Sequence, residues 1–212
     1  MIRLPVAKEG LIFILPSLGL SFLCYLKGFP ISGTLVFFLT LFFCYFFRNP
    51  LRIAENREGE LISPADGKVI GVEELHEPRF LKEKMKRISI FMSVSDVHVN
   101  RAPCDGTIET VYHEDGAFKL AFKKGIDDEN ERNYILLKNG DERFLIVQIA
   151  GFLARRVISY VRERDTVARC APVGMIAFGS RVELYAPLAY KPLVTAGQKV
   201  KSGSTVLARK EE

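Results

Sequence analysis

The dipeptide Gly179-Ser180, set in Phe178-Gly179-Ser180-Arg181-Val182, can do covalent chemistry on its own backbone. A serine hydroxyl that follows a glycine can attack the glycine carbonyl, shift the acyl group from nitrogen to oxygen and leave an ester. Glycine suits this step because it has no side chain in the way and tolerates strained backbone angles. Elimination from the ester gives dehydroalanine, which hydrolyses to a pyruvoyl group at the start of a new chain. The same dipeptide is also an ordinary turn, and Gly203-Ser204 repeats it without context. The attack needs a base, and His98, with an ordinary imidazole pKa of about 6.5, is the best placed by type. His76 lies in a charged loop and His113 at a strand end, where both read as solvent-facing. Asp66, in Pro64-Ala65-Asp66-Gly67, can orient such a histidine and stabilise its cation, or simply bond its own backbone in a turn.

These residues need a scaffold, and the chain offers two kinds. Its 212 residues are 48% hydrophobic, enough for one good core. The apolar residues concentrate in Leu11 to Leu26 and Ile31 to Phe47, neither of which carries a charge. Each run falls slightly short of the roughly 20 residues of a straight spanning helix. Lys27-Gly28-Phe29-Pro30 between them is a ready turn, so the spacing predicts a helical membrane hairpin within residues 1–50. Arg3, Lys8, Arg48 and Arg52 flank the pair against Lys27 in the turn. That bias places both ends, and the rest of the chain, on the cytoplasmic side of the cell membrane. A second apolar run following at once argues against a cleaved signal peptide; buried core helices, or a hairpin entering one leaflet, fit the same runs. The net charge of +5 is interspersed with acids and lacks a stacking-aromatic pattern, which favours an anionic membrane surface over nucleic acid as partner. Cys24, Cys44, Cys104 and Cys170 show neither disulfide-framework nor zinc spacing and read as reduced and structural.

Beyond Pro50 the hydrophobic pattern turns to alternation. Strands are expected at 67–75, 87–93, 106–113, 117–122, 133–138, 143–149, 156–161, 173–178, 181–185 and 205–208, with Asp115-Gly116 and Asn139-Gly140 as hairpin signals. Residues 51–212 thus read as a mainly β, compact antiparallel domain. Leu193 to Ala208 resembles the hammerhead turn of biotinyl and lipoyl carrier domains, and Ser63 to Val69 their early strand, giving the domain a barrel-sandwich-like part. A membrane-anchored carrier or binding module is therefore a rival reading. It needs an exposed lysine at a hairpin tip, and the nearest match, Met85-Lys86, lies inside the basic run Lys82 to Arg87.

Taken together, Phe46-Phe47-Arg48-Asn49-Pro50, Ser63-Pro64-Ala65-Asp66-Gly67, Val97-His98-Val99-Asn100-Arg101-Ala102-Pro103 and Phe178-Gly179-Ser180-Arg181-Val182 resemble the short form of phosphatidylserine decarboxylase, in order and spacing over nearly the whole chain. The resemblance implies self-cleavage between Gly179 and Ser180 into fragments 1–179 and 180–212, with Ser180 becoming a covalent pyruvoyl (pyruvate) cofactor. The serine amine of the lipid would condense with it to a Schiff base, and carbon dioxide would leave to give phosphatidylethanolamine, with no metal or pyridoxal phosphate. It further implies that the two fragments stay together as a heterodimer, and that such pairs form a homodimer. A different serine-headgroup lipid, such as archaetidylserine, presents the same reacting atoms. In this setting His98 is the general acid/base and Asp66 the residue that orients it. Long-form members carry His-x-x-His before a Pro-Cys-Asx-Gly turn; aligning that turn on Pro103-Cys104-Asp105-Gly106 puts Arg101 at the second histidine. A guanidinium stays protonated and cannot serve as base, so either His98 serves both self-processing and turnover or the short form activates Ser180 differently; the bidentate donor geometry of Arg101 suits it instead to hold a substrate carboxylate or phosphate.

Overall fold

The two uncharged runs form the helices α1, Leu11–Leu26, and α2, Pro30–Phe46. Pro30 stands in the first turn of α2, where its fixed φ suits helix entry and its missing N–H costs nothing. The computed structural model describes residues 5–55, 57–116, 130–151, 157–176 and 180–211. Polar groups lie between the helices: Ser21 Oγ donates to the Gly33 carbonyl at 2.8 Å, Thr40 Oγ1 to Ser17 Oγ at 2.9 Å, and Tyr25 and Thr34 share a 2.6 Å bond. Leu15, Phe22, Leu35 and Phe38 point outward and are exposed. Polar contacts inward with apolar side chains outward is the arrangement of helices in hydrocarbon. By length and composition, Lys8–Leu26 can cross a membrane; Pro30–Phe46 is shorter.

The chain divides into two units, Met1–Leu51 and Arg52–Glu212. The second is built from β1 Glu60–Ile62, β2 Gly67–Glu77, β3 Glu83–Met92, β4 Val99–Arg101, β5 Gly106–Glu114, β6 Arg132–Asn139, β7 Glu142–Ile149, β8 Val157–Ser159, β9 Thr166–Val167, β10 Pro172–Ile176, β11 Ser180–Pro187, β12 Tyr190–Pro192, β13 Lys199–Val200 and β14 Val206–Lys210. One sheet runs β13-β2-β3-β11-β7-β6-β5-β9, and two smaller ones run β4-β10-β8 and β1-β14-β12. Every pairing among the described residues is antiparallel. The mainly β, antiparallel class expected from the sequence is the class observed.

The large sheet buries both faces where it matters. On β7, Phe144 and Ile146 join the main core with Val182 and Leu184 of β11, while Leu145, Val147 and Ile149 pack on the opposite face with Tyr134, Leu136 and Tyr185. This is why Phe144-Leu145-Ile146-Val147 reads as a continuous apolar run and not as alternation. The strand expected at 117–122 lies outside the described residues.

Candidate active site

Ser180 opens β11, directly opposite Met92 at the end of β3. Side chains alternate along a strand, so Ser180 shares its face with Val182 and Leu184 of the main core. It is 0% exposed. Its Oγ donates to the Met92 thioether at 3.5 Å, a weak acceptor. On the other face Arg181, Glu183 and Tyr185 line a cavity of about 510 Å³ together with Arg79, Arg87 and Arg132. The basic groups there are matched by acids: Arg181 Nε lies 3.2 Å from Glu183, and Arg79 2.6 Å from Glu114. Gly179 lies outside the described residues. The strand that leads to it, β10, ends at Ile176, whose N–H donates to the His98 carbonyl at 3.3 Å.

His98 is fully buried, and its Nδ1 lies 2.9 Å from the Asp96 backbone carbonyl. A carbonyl oxygen only accepts, so Nδ1 carries the proton in this bond and Nε2 carries the lone pair of the neutral ring. The Asp96 carboxylate in turn closes the preceding turn, accepting from the Ser93 N–H at 2.8 Å and from Ser93 Oγ at 2.6 Å. Asp96 was not among the residues singled out from sequence, although Ser93-Val94-Ser95-Asp96 has the Ser/Asp spacing of such a turn.

The sequence expectation sets Asp66 behind His98; the oxygen at 2.9 Å from Nδ1 is the Asp96 carbonyl. The Asp66 carboxylate instead accepts from Arg52 Nη2 at 2.9 Å and from the Ser202 N–H at 2.8 Å. It thereby joins the segment after the hairpin to the hammerhead tail. Arg52, counted from sequence among the flanking cations, is committed to this pair. Gly203 follows at φ +71°, and a Cβ there would run into the Cys170 sulfur and sit 3.1 Å from Arg52 Cβ. Arg101 is buried at the same joint: its N–H donates to the Pro64 carbonyl at 2.9 Å and its Nη1 to the Cys170 carbonyl at 3.0 Å.

Both partners of the Arg52–Asp66 pair are largely buried, with side chains 16% and 11% exposed. Asp66→Ala leaves a guanidinium without its counter-charge and a buried N–H without its acceptor. The expected result is a loss of about 3 kcal/mol in unfolding free energy, read by urea denaturation in detergent.

All four cysteines are free. Burial pushes the Cys104 thiol up to about 12, keeping it protonated and inert.

A buried serine at a strand start, and a buried histidine whose carbonyl bonds the end of the strand before it, lie within the sheet system of a small, mainly β domain. Residues 39–208 match the family model described as phosphatidylserine decarboxylase. A phosphatidylserine decarboxylase proenzyme of Carboxydothermus hydrogenoformans is 48% identical over 178 residues, 84% of each chain. That of Syntrophus aciditrophicus is 42% identical over 205 residues, 95% of this chain and 96% of its own. That of Cereibacter sphaeroides is 42% identical over 208 residues, 96% and 89%. The chain belongs to the phosphatidylserine decarboxylase family, and is a carboxy-lyase.

Proposed function

We propose that the chain cuts itself between Gly179 and Ser180 and that the group formed from Ser180 decarboxylates phosphatidylserine to phosphatidylethanolamine. The observation that carries this reading is the placement of Ser180: fully buried at the first position of β11, with its hydroxyl held only by a thioether among the described residues, just past a strand end bonded to His98. A pyruvoyl group at position 180 fits that site. The strand carrying it pairs with β3 on one side and β7 on the other, so a chain that begins at residue 180 stays fixed after the bond before it is cut. The pyruvoyl carbonyl supplies an electron sink for the bond to the departing carboxylate.

The residues of the chain do the rest. His98 Nε2 takes the proton of Ser180 Oγ during processing and gives a proton to the substrate carbon during turnover. Asp96 holds that imidazole in its tautomer. The Asp66 carboxylate and the Ser63 carbonyl, which accept from the Ser202 and Gly203 N–H groups, tie the small fragment to the large one. Fragment 180–212 contributes β11 to the large sheet and β12 and β14 to the sheet containing β1, so the two products stay together as a heterodimer. The apolar hairpin holds the enzyme at the membrane that contains its substrate, with Lys8 and Arg48 favouring the cytoplasmic side.

Intact mass of the purified protein tests the reading. Two species that meet at Gly179-Ser180, the smaller blocked to Edman sequencing, together with conversion of phosphatidylserine vesicles, are expected. A single uncut chain with full activity would sink it.

A further inference from the structure

We propose that the cavity lined by Arg169 is a binding site for the phosphate group of a phosphate ester. Three distant stretches build it: the segment leading into β1, Arg169 ahead of β10, and the turn that enters β14. It holds about 330 Å³, the size of a small-ligand pocket. The Arg169 side chain is 5% exposed, and its backbone is fixed by an N–H bond to Asp105 Oδ1 at 2.8 Å. Its guanidinium, a fork of N–H donors, finds little to donate to. Nη1 donates to the Arg57 carbonyl at 2.8 Å, Nη2 lies 3.9 Å from Glu60 Oε2, and the buried Nε has no hydrogen-bond partner among the described residues.

A buried charge so thinly partnered costs stability unless another group answers it. The acids of the same cavity are drawn elsewhere: Glu60 Oε1 accepts from Arg209 at 2.7 Å, and Glu55 accepts from Arg57 at 2.9 Å. The donors that line the cavity suit a tetrahedral oxyanion. A guanidinium fork binds two phosphate oxygens at once. The Ser204 hydroxyl, exposed and without a hydrogen bond among the described residues, adds a further donor. Ile53, Ile62 and Val206 supply an apolar wall, which inorganic phosphate would leave unused and the carbon skeleton of an ester would cover.

Neither Ser180 nor His98 lines this cavity, so the site is additional to the proposed decarboxylation and does not depend on it. The phosphodiester of a phospholipid and a soluble phosphomonoester present the same oxygens to Arg169. Either would bind without covalent change and stabilise the fold by mass action. The occupant would also hold the turn before β14 against the segment before β1.

The test melts the full-length chain in dodecyl maltoside with phosphatidylglycerol, with glycerol 3-phosphate, or with potassium chloride at matched ionic strength. Neither ester carries a serine headgroup, so decarboxylation does not enter the reading. At about a hundred times the dissociation constant, the melt should rise by about 5–10 °C over the chloride control. A rise with the lipid alone assigns the site to membrane phospholipid, a rise with glycerol 3-phosphate alone to a soluble ester, and a rise with both to the phosphate they share. Arg169→Gln should remove the rise. Ser204→Asp, which sets a carboxylate of the chain's own in the cavity that Arg169 lines, should melt no lower than wild type and lose the rise as well. It decides the matter where Arg169→Gln does not fold. No rise with either ester overturns the proposal and leaves a water-filled cavity around Arg169. A full rise retained in Ser204→Asp overturns it by placing the ligand elsewhere. A Ser204→Asp chain that melts below wild type overturns it by showing that the cavity does not favour negative charge. None of these outcomes bears on cleavage at Gly179-Ser180, so the two readings fail separately.

Discussion

Ser180→Ala is expected to remain one intact chain of 212 residues and to release no carbon dioxide from phosphatidylserine above background. On the proposed reading the two losses coincide because one hydroxyl starts both: it attacks the preceding carbonyl, and the residue it belongs to becomes the cofactor. The fold gives little reason for a confounding collapse. Ser180 Oγ makes one bond among the described residues, to the Met92 sulfur, and alanine keeps the Cβ that packs opposite it. Losing a hydroxyl whose only partner is a weak acceptor changes stability by about 1 kcal/mol or less. Denaturing electrophoresis and release of labelled carbon dioxide read the two outcomes independently. Cleavage at 179–180 in the variant would show that the serine oxygen is not the nucleophile. Activity in an uncut variant would show that the carbonyl needed for decarboxylation does not come from residue 180.

How far such a site can be read from sequence depends on the range of the interactions that build it. The apolar hairpin and the longer strands of the large sheet follow from local period and turn residues, because each is specified within its own stretch of chain. Strand β4, Val99–Arg101, shows the limit. Three residues cannot display a period, and its burial comes from pairing with β10 more than seventy positions later, at Asn100–Gly174. Asp66 shows the same limit for a side chain. A carboxylate in a tight turn is compatible with a catalytic or a local role, and only the approach of Ser202 and Arg52 shows what it binds here. The orientation of His98 was within reach of local reading, since Asp96 is two residues away. It was hidden because the group that orients the ring is a backbone carbonyl, which every residue has. The buried amides of Asn133, Gln148 and Asn100, bonded in a row at 2.9 and 2.8 Å, are scattered over three strands, and nothing in the sequence couples them. Ser180 and His98 can be singled out as candidates because their chemistry is rare, whereas what surrounds them is made of common groups brought together by the fold.

His98→Ala is the second large effect, and it separates base from scaffold. The substitution leaves the His98 carbonyl that receives the Ile176 N–H at 3.3 Å, so the end of β10 keeps its anchor. It removes the imidazole held at 2.9 Å from the Asp96 carbonyl and leaves a ring-sized space in a fully buried position. Loss of a positioned general base is expected to slow self-cleavage by about 10²–10⁴, read by intact mass over hours. Because the Asp96 carbonyl remains to orient a guest ring, added imidazole should enter that space and restore part of the rate. Added ring cations without a free nitrogen lone pair should not. Rescue by imidazole with the pH dependence of a free imidazole would identify proton transfer as the lost function. Cleavage at the wild-type rate in His98→Ala would leave Ser180 to be activated by another group. An unrescued slow variant with an unchanged melt would point to His98 as a wall of the site that excludes water rather than a carrier of the proton. The bond from Nδ1 to Asp96 favours rescue, because a carbonyl fixing one nitrogen is what keeps the other available as a base.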